Sequence, residues 1–378
     1  MEKVKLDDVL KYEQPTKYIV ETENYSNDFK TPVLTAGKSF ILGYTDEING
    51  IFNDVPVIIF DDFTTAFHYV DFPFKVKSSA MKILKAVKER SDLKYLFYKM
   101  QTISIDKDLH KRYWISKYSQ IQISLPDIPI QQKIAAVLDK ANELRQYNQQ
   151  LIEKYDALTQ SLFLDMFGDP VRNEKAWKTK TIEELTKKEK GSIKRGPFGG
   201  ALKKEIFVEK GYLVYEQFHA LNNDFSMARY FISEEKFNEL KGFEVKPGDI
   251  IISCSGVYLG KLAIVPKDAK KGIINQALLK VTLDEKIMRN DFFMFHFTHK
   301  NFREKYFDAN RGAGIPNFPP MSDFKKFPFI FPSIDIQNQF AERVQLIETQ
   351  KQQAQEALAK SELLFQGLLQ KAFQGELN

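Results

Sequence analysis

The chain repeats itself at a fixed distance. Residues 126–167 and 332–373 align without a gap, and 12 of the 42 aligned pairs are identical. The shared residues include Pro126/Pro332, Ile128/Ile334, Ile130/Ile336, Gln131/Gln337, Leu158/Leu364, Leu162/Leu368 and Phe167/Phe373. A repeat this long and this widely spaced implies two copies of a globular-plus-helix unit, not a solenoid of short modules. It divides the chain into a first globular unit (1–125), a long helix (126–167), a second globular unit (168–330) and a second long helix (331–378). A length of 378 residues suits two domains of ordinary size.

Both helical stretches carry a heptad stripe. The first is predicted to start near Gln131, behind Pro129, which fits ahead of a helix but not inside one. Its apolar positions run Val137, Ala141, Leu144, Leu151, Tyr155, Leu158 and Leu162, with Asn148 interrupting them. The second runs Phe340, Val344, Ile347, Ala354, Leu358, Ser361, Phe365, Leu368 and Ala372, with Lys351 interrupting. A single exposed stripe does not hold a helix in water. The two are therefore expected to pack on each other as an antiparallel coiled-coil pair, relating the globular units by an internal pseudo-two-fold repeat.

The globular units read as mixed α/β (α+β). Pro56–Phe60 and Asp249–Ser253 are short buried-strand runs, and Phe72–Lys77 alternates as a strand does. Ser79–Lys88 and Asp291–Phe297 have helical spacing. Ile115-Ser116, Tyr118, Ile121 and Ile123 match Met321-Ser322, Phe324, Phe327 and Phe329, while the unit interiors diverge. Such a pattern fits one scaffold with two different surfaces.

Catalytic motifs are sparse. The single cysteine, Cys254, has no activating histidine beside it and reads as a buried thiol. Five scattered histidines show no metal-ligand spacing. Gly256-Val-Tyr-Leu-Gly-Lys261 is one residue short of a phosphate loop and reads as a turn between strands. Asn317-Phe-Pro-Pro320 has the wrong order for a methyltransferase turn. Asp61 and Asp62, with Asp46 or Asp71, lack the following acid–x–Lys element of a nuclease. These readings point to a binding protein with no catalytic or metal residues. Met1–Asp8 has no apolar signal core, and no apolar run approaches the ~18 residues that span a bilayer, so a cytoplasmic location is expected.

Residues suited to nucleic acid occur in both halves. The net charge of +5 permits a polyanionic partner without requiring one. In the first half the candidates are Gln14, Thr16, Lys17, Tyr18, Lys38, Ser39, Lys77, Ser78, Lys111 and Arg112. In the second they are Lys194, Arg195, Gln217, Ser255, Tyr258, Asn275, Gln276 and Arg311. Lysine and arginine neutralise phosphates, and glutamine can read the edge of adenine bidentately. Glycines interleaved with basic residues from Lys187 to Lys204 allow backbone to approach phosphate closely.

These residues together resemble the specificity subunits of type I restriction–modification enzymes, over the whole chain. The resemblance rests on Leu125-Pro-x-Ile-x-Ile-Gln-Gln132 and on Lys371-Ala-Phe-Gln-Gly-Glu-Leu377. Tyr12-Glu-Gln-Pro-Thr-Lys-Tyr18, Thr35-Ala-Gly-Lys-Ser39 and Phe60-Asp-Asp-Phe-Thr64 are similar to one kind of target-recognition domain. Pro247-Gly-Asp-Ile-Ile-Ile-Ser253 and Ile274-Asn-Gln-Ala277 are similar to another. The family pattern is altered at Asp335 and Asn338, which stand where the first copy has Pro129 and Gln132. The resemblance implies a non-catalytic subunit that reads a bipartite, asymmetric double-stranded DNA target. Its partners would be two methyltransferase subunits and two restriction/translocase subunits. S-adenosylmethionine, ATP and Mg²⁺ would act in those partners, with no cofactor bound here. The alternatives from the residues alone are a self-sufficient nuclease or methyltransferase with duplicated domains, and a protein-binding adaptor.

Overall fold

The computed structural model describes residues 2–35, 39–105, 113–198, 200–308 and 318–376. The chain divides into two compact units, Met1–Gln150 with Ala354–Asn378, and Leu151–Gln353. Each unit therefore includes part of both long helices.

The first unit runs β1 (Glu2–Lys5), α1 (Leu6–Val9), β2 (Leu10–Glu13), β3 (Thr31–Leu34), β4 (Ile41–Thr45), β5 (Val57–Asp61), β6 (Phe67–Val70), β7 (Lys75–Val76), β8 (Met81–Ala86), α2 (Leu93–Gln101), α3 (Tyr113–Ser116) and β9 (Gln122–Leu125) before entering α4 (Ile128–Phe167). An antiparallel sheet has the order β2-β8-β5-β6, and a second has the order β4-β3-β7, with β3 and β7 parallel. Strands β1 and β9 form a separate antiparallel ribbon. Strand β5 is buried on both faces. Val57 and Ile59 pack with Val70 and Ile83, whereas Ile58 and Phe60 pack with Leu84, Leu96 and Trp114. Two covered faces explain the unbroken apolar run in the sequence.

The second unit runs β10 (Thr179–Thr181), α5 (Ile182–Leu185), β11 (Ile193–Arg195), β12 (Phe207–Val208), β13 (Tyr212–Tyr215), α6 (Gln217–Asn222), β14 (Phe231–Ile232), α7 (Glu234–Glu239), β15 (Glu244–Val245), β16 (Ile250–Ser253), β17 (Leu262–Ile264), β18 (Gly272–Ile274), β19 (Leu278–Val281), α8 (Asn290–Thr298), α9 (Lys300–Arg303), α10 (Met321–Phe324) and β20 (Pro328–Ile330) before entering α11 (Ile334–Gln374). Its sheets follow the orders β11-β19-β16-β17 and β12-β14-β13-β18-β15, with β13 and β18 parallel. The first matches β2-β8-β5-β6 strand for strand. The ribbon β10–β20 matches β1–β9. The entrances match as well: Lys5 N–H donates to Asp8 at 2.9 Å, and Thr181 N–H to Glu184 at 2.8 Å, at the starts of α1 and α5. The duplication thus extends through the globular interiors, where sequence similarity had faded.

Several expectations need correction. Ser79–Lys88 forms no helix; it contains β8. Met81 and Ile83 enter one core while Leu84 enters the other, and pairing with β5 and β2 overrides the helical spacing. Only Lys75–Val76 of the Phe72–Lys77 run is strand. Helix α4 begins at Ile128, three residues before Gln131, because Pro129 is accommodated in the first turn, where no backbone donor is needed. Asp291–Phe297 is helical as read, within α8.

The helices pack antiparallel within each unit. In the first unit, Arg145 pairs with Glu362 at 3.2 Å and Asn148 donates to Ser361 at 3.3 Å. In the second, Asp156 pairs with Lys351, and Phe163 and Phe167 pack edge-on against Phe340. The polar interruptions read in both stripes are thus partnered. The stripe of α11 is the one read from the sequence. That of α4 is shifted in one column: Leu138, Arg145, Ile152 and Thr159 turn inward, while Val137, Leu144, Leu151 and Leu158 stay 36–49% exposed. Adjacent apolar pairs, Val137-Leu138 and Leu151-Ile152, make either column plausible in sequence. Burial of Arg145 and Thr159, which apolar counting passes over, decides between them.

Candidate nucleic-acid interface

Strand direction collects the candidate residues of each unit at one end of its sheets. In the second unit, β11 ends at Arg195, β13 leads to Gln217, β16 leads to Ser255 and β18 leads to Asn275 and Gln276. Hydrogen bonds tie these ends together. Asn275 N–H donates to Tyr215 O at 2.9 Å, Gly196 N–H to Leu278 O at 2.9 Å, and Cys254 N–H to Ala277 O at 2.8 Å. Gly196 lies so close to the Asn275 backbone that a Cβ would sit 1.8 Å from its carbonyl oxygen, so only glycine fits.

The first unit has an equivalent end. Strand β2 leads to Gln14, β5 to Asp62, and β7 to Lys77 and Ser78, while Ser39 lies just ahead of β4. Asp62 and Cys254 occupy matching nodes. Asp62 N–H donates to Ala80 O and accepts Tyr113 N–H on its own carbonyl; Cys254 N–H donates to Ala277 O and accepts Phe318 N–H. The backbone frame is shared while the side chains differ in kind. Asp62 is a buried acid that pairs with Lys82 at 3.6 Å and accepts Trp114 N–H at 2.8 Å. Cys254 is buried, and burial pushes its thiol up to about 12.

The candidates divide by what they touch. Gln14 accepts from Lys82 Nζ at 3.2 Å, and Thr16 and Lys17 are exposed beside it. Tyr18 is engaged in packing: its ring meets Phe52 edge-on at 5.0 Å and its hydroxyl donates to Glu13 at 2.8 Å. Burial, with that hydrogen bond, raises its pKa. Lys77 is paired with Glu23 at 2.5 Å, whereas Ser39 and Ser78 are exposed. Lys194 and Arg195 are neighbours on a strand and turn to opposite faces. Lys194 lies over Phe243 at 4.9 Å and Arg195 over Phe198 at 5.2 Å. Gln217 donates from Nε2 to Ser253 Oγ and Ser255 O, both at 2.7 Å. Asn275 turns its Oδ1 inward to Ala277 N–H at 3.0 Å, and Gln276 and Tyr258 are exposed. Lys38, Lys111, Arg112 and Arg311 lie outside the described residues.

Sequence reasoning missed the exposed apolar side chains at these ends: Phe63 between β5 and β6, Val257 between β16 and β17, and Phe198 beside Arg195. Their signal was position, an apolar residue inside a turn. Asp61 is used structurally, accepting the Phe63 and Thr64 N–H groups at 2.7 and 3.2 Å. The described residues hold no group of three or more metal-ligating side chains, and no helix among them is long and apolar enough to cross a membrane.

Residues 174–359 match the family described as type I restriction modification DNA specificity domain. A stretch of 151 residues is 50% identical to the type I restriction enzyme EcoR124I/EcoR124II specificity subunit of Escherichia coli. That match spans 37% of this chain and 37% of the relative's length. The fold resembles the crystal structure of a type I restriction-modification system S subunit from M. genitalium, with a TM-score of 0.57, 16% identity, and coverage of 98% of this chain and 96% of that one. It also resembles a chain from a study of complex assembly and conformational transition of the type I R-M system, with a TM-score of 0.56, 16% identity and coverage of 99% and 98%. Residues 174–359 thus match the type I restriction modification DNA specificity domain, and the fold of the chain is similar to that of type I specificity subunits.

Proposed function

We propose that this chain is the DNA-reading subunit of a type I restriction–modification complex. One observation carries the reading: two units share a backbone frame down to matching nodes, Asp62 and Cys254, yet present different side chains at the same sheet ends. Equivalent frames with unlike surfaces suit a bipartite, asymmetric target, each unit reading one half-site. Basic side chains set the register on phosphates, while Gln, Asn and Ser groups contact base edges. Helices α4 and α11 pass through both units and act as a ruler, leaving the DNA between the half-sites unread. Forty residues of α-helix span on the order of 60 Å, enough to bridge readers placed about one duplex turn (~35 Å) apart. Methyltransferase and restriction subunits bind this chain and supply the chemistry with S-adenosylmethionine, ATP and Mg²⁺.

The test is to map N6-methyladenine across the DNA of cells that hold the methyltransferase partner, with and without this chain. A single split, asymmetric motif that appears only with the chain is expected. DNA modification or cleavage by the purified chain alone would overturn the reading in favour of a self-sufficient enzyme.

A further inference from the structure

We propose that Gln217 reads one base pair as a pure hydrogen-bond acceptor, taking its bond from an exocyclic amine, adenine N6 or cytosine N4, in the major groove. This rests on the DNA-reading function above and specifies how one residue performs it.

The orientation of the Gln217 amide is set by chemistry. Ser255 O is a backbone carbonyl and only accepts, so the group 2.7 Å from it must be the amide nitrogen. The same nitrogen lies 2.7 Å from Ser253 Oγ. Two acceptors therefore take both N–H groups. The amide oxygen, Oε1, has no hydrogen-bond partner among the described residues, and Gln217 is only half-buried. The general expectation for glutamine, a bidentate contact to adenine, needs one free N–H for N7 and is unavailable to a side chain held this way. What remains is a single fixed acceptor.

Its surroundings suit a duplex. Arg195 stacks on exposed Phe198 at 5.2 Å, and its buried Nε has no partner among the described residues. Gln276 and Tyr258 stand exposed at the same sheet end. In the major groove, adenine and cytosine present an amine, whereas thymine presents O4 and guanine presents O6 and N7. An acceptor facing those oxygens is repelled, so the position should accept A or C and reject G or T on the strand it faces.

The experiment uses the chain assembled with its methyltransferase partners and a library of randomised duplexes. The wild type should restrict one position of a single half-site to A or C. Gln217→Met should relax that position by about 10- to 100-fold and leave the others unchanged. Independently of any variant, removing the amine from that base, with purine for adenine or 2-pyrimidinone for cytosine, should weaken the wild type by a similar factor. The same change should leave the variant indifferent, a coupling that a structural role would not produce. A uniform loss on all sequences in Gln217→Met, or a wild type indifferent to the missing amine, would overturn the inference while leaving DNA reading intact. A complex with no sequence preference would overturn both.

Discussion

Gln131 and Gln337 make the same three hydrogen bonds in different units. Gln131 Oε1 accepts Asp92 N–H at 2.8 Å, and its Nε2 donates to Arg90 O at 3.0 Å and Pro126 O at 2.7 Å. Gln337 Oε1 accepts Arg289 N–H at 2.9 Å, and its Nε2 donates to Ile287 O and Pro332 O, both at 3.0 Å. Asp92 and Arg289 precede the equivalent helices α2 and α8. Both glutamines are fully buried in the first turns of α4 and α11. Each fixes the direction in which a long helix leaves its globular unit.

Replacing Gln131 with leucine keeps the volume but strands one backbone N–H and two carbonyls. The expected cost is about 3 kcal/mol, read from urea denaturation. Gln337→Leu should cost a similar amount. A loss below about 0.5 kcal/mol for either would show that the buried amide is dispensable.

The stripe of α4 makes a second prediction. Leu138 is fully buried and Val137 is about a third exposed. Leu138→Ala should destabilise the first unit by about 2–4 kcal/mol, and Val137→Ala by less than about 1 kcal/mol. Equal losses in denaturant midpoints would restore the column first read from the sequence.

Arg195 offers a test by salt. Its guanidinium rests on exposed Phe198 at the sheet end, and the proposed role is a phosphate contact. Arg195→Ala should weaken DNA binding on every sequence and lower the salt slope of log K by about 1. A change confined to one base position would mean that Arg195 reads sequence instead.

Acid sensitivity should centre on His296. Its ring is buried among Phe292, Phe302 and Phe329, and Nε2 accepts Ile330 N–H at 3.2 Å. Burial, helped by nearby His299, pushes its pKa down to about 3. The unfolded chain takes up the proton first, near pH 6.5. The stability contributed by neutral His296 is therefore complete above that pH and is lost as pH falls toward 3, by about 1.4 kcal/mol per pH unit. Denaturant midpoints from pH 7 to 4.5 should fall more steeply in the wild type than in His296→Gln, which keeps an acceptor without a titrating ring. Parallel curves would contradict this account.

The repeat, the two long helices and the stripe of α11 were legible in the sequence because heptad periodicity and proline placement are local signals. The fold of the units was less so. The Ser79–Lys88 run carries Met81, Leu84 and Val87 at helical spacing, and only pairing with β5 and β2 makes Met81–Ala86 a strand. The node shared by Asp62 and Cys254 is a backbone relationship with no common side chain, so residue comparison could not reveal it. Gln217 was identifiable as polar and suited to DNA. Its polarity depends on Ser253 and Ser255, more than 35 residues away.

The central claim is that two units read two half-sites across a gap set by α4 and α11. Inserting about 4 residues, roughly one turn or ~6 Å of helix, into both helices tests it, with methylated adenines mapped in cells carrying the wild type or the insertion. Unchanged half-sites separated by a longer gap are predicted. A gap of the original length, or new half-site sequences, would contradict the account.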